Sequence, residues 1–312
     1  MGRQKKSPAT PVAESSEPQP GKPGRARRML KWLPLLLILS VAPAARDQLP
    51  KLSDRPEYQL ELGKLRLEPA PSGAVPADLL ERVFEEATAD DTLSILNATT
   101  ARRIAERVGQ SPWVRSIRRV EIGYPARGTI SVEYRQPVAV IDIDGAWYPV
   151  DVDGIVLPPK DFTLTQAMGY PRIIGVKVRP RGQPGRQWAN PVVLAGAKIA
   201  DVLRADWSDL GLDSIRPRPD QDEAMPWQDL QFDLWTVGKS RIAWGRAPGT
   251  PHPGELSPDQ KLTRLHKCYS EFGGFDSPHG PFEIDIRHWQ EVTRRRLSTN
   301  QENATRTVRP RR

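Results

Sequence analysis

Asp151, Asp153 and Gly154 begin like a calcium loop, with carboxylates at alternate positions ahead of a glycine turn. The twelfth position counted from Asp151 is Phe162, where a bidentate glutamate is required, so the pattern fails as a cation site. The four histidines, His252, His266, His279 and His288, are far apart, and only His266 falls on a helical pattern, with no ligand one turn away. Cys268 is the single cysteine, and no His–Asp arrangement adjoins it. It reads as a small residue packed at the edge of a helix face, and it excludes an intrachain disulfide. A glycine-rich phosphate loop, a Gly-x-Ser-x-Gly elbow and a His-Glu-x-x-His pair are all missing from the sequence. The chain is therefore read as non-enzymatic, with no catalytic, metal or cofactor-binding residue and no small-molecule substrate.

The elements around these residues begin with one apolar stretch, Met29 to Ala45, behind a tail rich in Lys, Arg, Pro and Ser. From Trp32 to Ala45 about 14 uncharged residues run together, and Lys31 snorkelling to the headgroups extends this to about 17, the short end of a membrane span. Trp32 stands where an interfacial aromatic belongs. A cleaved signal peptide is the rival reading, since Ala42-Pro43-Ala44 suits a cleavage site. The basic segment ahead of it is longer than a signal peptide allows, so a retained anchor is expected. Loops rich in Lys and Arg stay in the cytoplasm, which places residues 1–28 inside and the bulk of the chain outside.

The net charge of +8 belongs to the two ends. Residues 1–31 hold eight basic and two acidic side chains, and 294–312 hold seven arginines and one glutamate. The remainder is mildly acidic, which argues against a nucleic-acid reader. Both ends are expected to be disordered basic tails.

Between them the pattern is α+β. Glu57–Glu68 alternates as one strand with an irregularity at Gly63. Leu79, Leu80, Val83, Phe84 and Ala87 recur at helical spacing after Pro76, and a second helix is predicted over 98–109 with Ile104 and Val108 on one side. Two strands follow, joined by Pro125-Ala-Arg-Gly128. Trp113 is expected to be a core anchor. This strand–helix–helix–strand–strand unit spans 55–136. A second, mixed β domain with flanking helices is expected over 137–293. It opens with a meander turned by Asp144-Gly145 and Asp153-Gly154. Pro158–Asn190 is irregular but for a strand-like Arg172–Val178. A helix is predicted at 191–206, with strands around Phe232 and Ile242. Ser257-Pro-Asp-Gln260 is a capping box opening a helix that carries Leu262, Leu265, Tyr269 and Phe272 inward. Phe282–Arg287 is expected to be the last strand.

Pro112-Trp113-Val114, then a strand, a proline turn and a strand ending Gln136-Pro137-Val138-Ala139 resemble the POTRA domain of the FtsQ/DivIB bacterial cell-division family. Lys261-Leu262 and Ile284-Asp285-Ile286-Arg287 are similar to positions near that family's C-terminus, and the order of tail, anchor, POTRA domain and β domain matches as well. Trp113 to Pro125 is one residue longer than the family pattern, which implies a bulge. The resemblance implies a single-pass protein of the inner (cytoplasmic) membrane acting as a divisome scaffold. Its partners would be small bitopic coiled-coil proteins like FtsB and FtsL, one of which adds a strand near the last strand of the sheet. Carried over by position, Arg287, His288 and the adjacent Trp289 are the partner-binding residues the resemblance implies. A POTRA-bearing transport or assembly factor of the envelope is the alternative. On this reading, Arg287→Glu is expected to weaken capture of such a partner and leave the fold intact, as an affinity pull-down beside a melting curve would show.

Overall fold

Leucines at alternate positions make Leu65–Glu68 a strand (β1), with Leu65 and Leu67 buried and Arg66 and Glu68 in solvent. The computed structural model describes residues 52, 55–85, 93–222, 225–249, 252–288 and 291–297; the apolar stretch at 29–45 lies outside them. Among the described residues no helix is long and apolar enough to cross a membrane.

The strand expected from Glu57 is shorter than its alternation suggests. Pro56–Tyr58 and Leu62–Lys64 close into 3-10 turns, and Gly63, with no side chain to pack on a sheet, allows the second of them. Helix α1 (Leu79–Phe84) and helix α2 (Thr100–Gly109) follow. Ile104 and Val108, one helical turn apart, are both fully buried. They cover a three-stranded sheet in which β3 (Arg127–Tyr134) lies between β1, parallel to it, and β2 (Val114–Gly123), antiparallel to it. The implied bulge is present, and there are two: the β2–β3 register slips between Val114 and Ser116 and again between Ile117 and Arg119.

The second sheet has eight strands, β4 (Ala139–Ile143), β5 (Ala146–Val150), β6 (Arg172–Ile173), β7 (Leu212–Pro217), β8 (Gln231–Thr236), β9 (Arg241–Arg246), β10 (Phe282–Asp285) and β11 (Thr293–Arg296). Their spatial order is β11-β10-β9-β8-β7-β6-β4-β5. Asp144 and Gly145, both at positive φ, make the tight β4–β5 turn that the Asp-Gly pair predicts. At the β5 border the chain covers itself, since the Leu157 amide donates to the Pro149 carbonyl at 2.8 Å. A short helix, α3 (Leu164–Met168), interrupts the proline-rich stretch behind a Thr163 capping box. The strand expected at Arg172–Val178 stops after two residues, and Gly175 at φ 100 turns the chain away.

Helix α4 (Pro191–Leu203) starts on Asn190, whose side chain accepts from the Val192 and Val193 amides. It approaches β6 so closely that a Cβ on Gly196 would lie 2.9 Å from Ile173. Helix α5 (Pro258–Phe272) has the capping box read from Ser257 and Gln260 and ends on Gly273 in the left-handed region. Leu265 and Cys268 are buried in the core with Phe232, Leu234, Ile242, Trp244, Ile284 and Ile286. Phe272, expected inward, is exposed and lies under the Arg294 guanidinium, 4.2 Å from its ring.

The two sheets meet along a polar seam. Trp113, 2 % exposed, is a core residue as expected, and it stacks on Phe162 from the second sheet's side. Its indole N–H donates to Asp161 Oδ2 at 2.8 Å, while Arg82 donates to Asp161 Oδ1 at 2.6 Å. Nearby, Arg135 donates to Asp151 Oδ2 at 2.8 Å; Asp151 Oδ1 accepts from the Asp153 and Ile155 amides. The aspartate that resembles the start of a calcium loop is thus the centre of a tight turn and an anchor between sheets. Asp161→Ala strands the Trp113 N–H and leaves the Arg82 guanidinium with Asp78 as its remaining partner, and we expect a loss of about 2 kcal/mol in urea unfolding. Asp161→Asn, which keeps one acceptor, recovers part of it.

Candidate partner-binding edge

Strand β10 is not the border of the sheet. It pairs with β9 on one side and, antiparallel, with β11 on the other. The edge expected at Phe282–Arg287 is covered by the chain's own Thr293–Arg296, so Arg294–Arg296 belong to the fold and not to the basic tail. A run of arginines carries no apolar alternation, which is why the strand is invisible to a hydrophobic pattern. The border that remains is the outer side of β11, to which nothing is paired among the described residues.

Two of the three arginines of β11 have side-chain anchors. On the core face Arg294 lies 3.7 Å from the Phe282 ring centroid and donates to the Ser277 carbonyl, a cation–π contact worth about 1 kcal/mol when partly sheltered. On the outer face Arg295 donates to Glu283 Oε2 at 2.6 Å. Glu283 also accepts from Arg241, so Trp235, Arg241, Glu283 and Arg295 stand in one row across four strands. Burial pushes the Glu283 carboxyl upward, but the two guanidinium hydrogen bonds more than reverse this and hold it below the ordinary glutamate value.

The next row centres on Asp285. Arg287 grips it with Nε at 3.0 Å and Nη2 at 2.6 Å, and reaches across to Gln231 Oε1 at 2.9 Å. Burial again raises the Asp285 carboxyl, and the Arg287 hydrogen bonds leave it below the usual aspartate range. Arg287 is therefore held within the sheet's outer face. His288 is exposed, 3.6 Å from Asp285, and its carbonyl accepts from Arg264. Trp289 lies outside the described residues. Asp233, 3 % exposed, has an oxygen without a hydrogen-bond partner; Arg218 and Arg241 stand at 3.8 and 3.9 Å. Burial raises its carboxyl against those cations.

Lys261 closes the cluster. Buried on α5, it donates to Glu255 at 2.5 Å and to the Arg246 carbonyl at 3.1 Å, with Trp244 5.0 Å away. Burial lowers its ammonium and Glu255 opposes that. Gly245 makes room for the arrangement, since at φ 91 a Cβ there would sit 2.7 Å from Glu255 and 3.3 Å from Arg287. Arg287→Glu would set a carboxylate against Asp285, with Asp233 and Glu255 close by. We therefore expect that change to lower stability as well as partner capture, where the sequence alone leads one to expect an intact fold.

Among the described residues no group of three His, Cys, Asp or Glu side chains is placed to hold a metal. His252, His266 and His288 face three different carboxylates, those of Asp229, Asp206 and Asp285. A cleft of 440 Å³ lies along Arg82, Trp113, Lys160 and Asp161, but its carboxylate is fully engaged by the seam. No protein-family model matches the chain, and no curated protein matches it.

Glu283 and Asp285 titrate below their unfolded values, so their stabilisation is whole above the ordinary carboxylate range and lost as pH falls through the folded values. We expect the melting temperature to fall below about pH 4. Glu283→Gln should cost about 1.5 kcal/mol at neutral pH and flatten that acid limb.

Proposed function

We propose that this chain is a single-pass, non-enzymatic scaffold of the FtsQ/DivIB type. On this reading it is held in the cytoplasmic membrane by residues 29–45, with its tail inside and its two sheets outside, and it gathers membrane-anchored division proteins for septal wall synthesis. The order of elements supports the reading: a basic tail and apolar stretch in the sequence, then a β-α-α-β-β unit, then a larger mixed sheet. The observation that carries it is the free border of β11.

An open strand offers N–H and C=O groups that an extended partner segment can pair with, and the projecting side chains select the partner. At β11 the neighbouring rows already fix the strand from both faces, so a partner meets a border set in place beforehand. Small bitopic coiled-coil proteins like FtsB and FtsL are the partners this reading requires. Capture of the cross-linked chain from dividing cells should recover such proteins, and recovery of barrel-assembly components instead would overturn the scaffold reading.

The backbone dictates a sharper test. The Leu297 amide donates to the Pro281 carbonyl at 3.0 Å, toward β10. By the alternation of an antiparallel ladder the Arg296 amide turns to the open side. Arg296→Pro removes that donor and crowds the border while sparing the ladder to β10, as proline on an edge strand does. We expect it to abolish capture with an unchanged melting temperature, and Arg296→Ala to retain capture. Equal capture by both variants would remove this edge from the account.

A further inference from the structure

Most of the exposed apolar side chains stand singly or, like Leu164 and Met168 one turn apart on α3, as a pair, which is ordinary for a protein surface. One group does not. Tyr124, 64 % exposed at the tip of the β2–β3 turn, has its ring centroid 5.9 Å from that of Tyr58. Leu96, 48 % exposed, follows Ile95, whose amide donates to the Tyr58 carbonyl at 2.9 Å. The Ala126 amide of the same turn donates to the Glu57 carbonyl at 3.3 Å. Tyr58, Leu96 and Tyr124 therefore gather at one end of the three-stranded sheet, beside the residues where its chain begins.

That end is also where the tether arrives. Ten residues, 46–55, separate the last residue of the apolar stretch from Pro56, a length that spans at most about 35 Å. On the single-pass reading, on which this inference rests, that end cannot stray farther than this from the bilayer. Tyrosine is a side chain with an apolar body and a polar tip, suited to the headgroup layer. Exposed Arg127 and exposed Glu57 border the group with opposite charges, so contact with lipid would be apolar and would not need an anionic surface. A weak contact suffices, because the tether supplies a high effective concentration.

We propose that the tip of the β2–β3 turn, with Tyr58, Tyr124 and Leu96, seats on the lipid surface next to the chain's own membrane segment. The seat gives the first sheet a fixed attitude to the membrane.

The test uses the full chain in phosphatidylcholine nanodiscs containing lipids that bear a shallow nitroxide quencher, with Cys268→Ala as background. A fluorophore is attached through Gly123→Cys, where an added Cβ meets no atom within 4 Å. A second is attached through Ser116→Cys, on the same strand about 23 Å away, and a third through Leu37→Cys inside the apolar stretch. We expect quenching at 123 and at 37 but not at 116, unchanged by high salt. Tyr124→Ser with Leu96→Ser should abolish it at 123 alone. A dark quencher response at 37 with none at 123 overturns the seat and leaves the single-pass reading standing. No response at 37 overturns both, and equal responses at 123 and 116 overturn the seat as a specific contact.

Discussion

Arginine against a sheltered carboxylate is the interaction on which this architecture rests. It recurs at each place where two pieces of chain must hold together without a continuous apolar face. Asp161 takes Arg82 and Trp113 across the seam between the sheets, and Asp151 takes Arg135 beside it. Glu283 ties β9 to β11 through β10. Such pairs cost desolvation, and removing one partner is worse than never having had the pair. They hold well here because each carboxylate also accepts a second donor. Asp233 is the exception, and burial dominates its titration.

Much of the fold was legible because its core elements obey simple periods. Ile104 and Val108, the Ser257 capping box, and the alternation of Phe232 with Leu234 all lie where the pattern puts them. The misses have physical reasons. Strand β7 reads Leu-Asp-Ser-Ile-Arg-Pro, and Ser214 is wholly buried while Asp213 and Arg216 pair with neighbours, so polarity hides an interior strand. Strand β11 is fastened by charge and aromatic rings, to which a hydrophobic pattern is blind. The first half of the Glu57–Glu68 alternation misleads in the other sense, since Leu60 reaches the core from an irregular segment.

The candidate site was harder to read than the fold. Arg287 is singled out in the sequence only by the resemblance of Ile284-Asp285-Ile286-Arg287 to a family pattern. Its fixed grip on Asp285 and Gln231 is a three-dimensional fact that no spacing encodes, because Gln231 is a distant part of the chain. Asp161 was equally unreadable. Its importance comes from the Arg82 guanidinium on helix α1 and the Trp113 indole in the turn before β2, both distant in the chain.

The two borders of the eight-stranded sheet are unequal, and that inequality limits how copies of this molecule can associate. The Leu157 amide and its neighbours already occupy the β5 side around Pro149, while nothing among the described residues pairs with the outer side of β11. If copies pair only through that rim of the eight-stranded sheet, they join through a two-fold axis and must then stop. Stacking this sheet end on end would need the β5 side as well, where the Leu157 and Val156 contacts stand in the way.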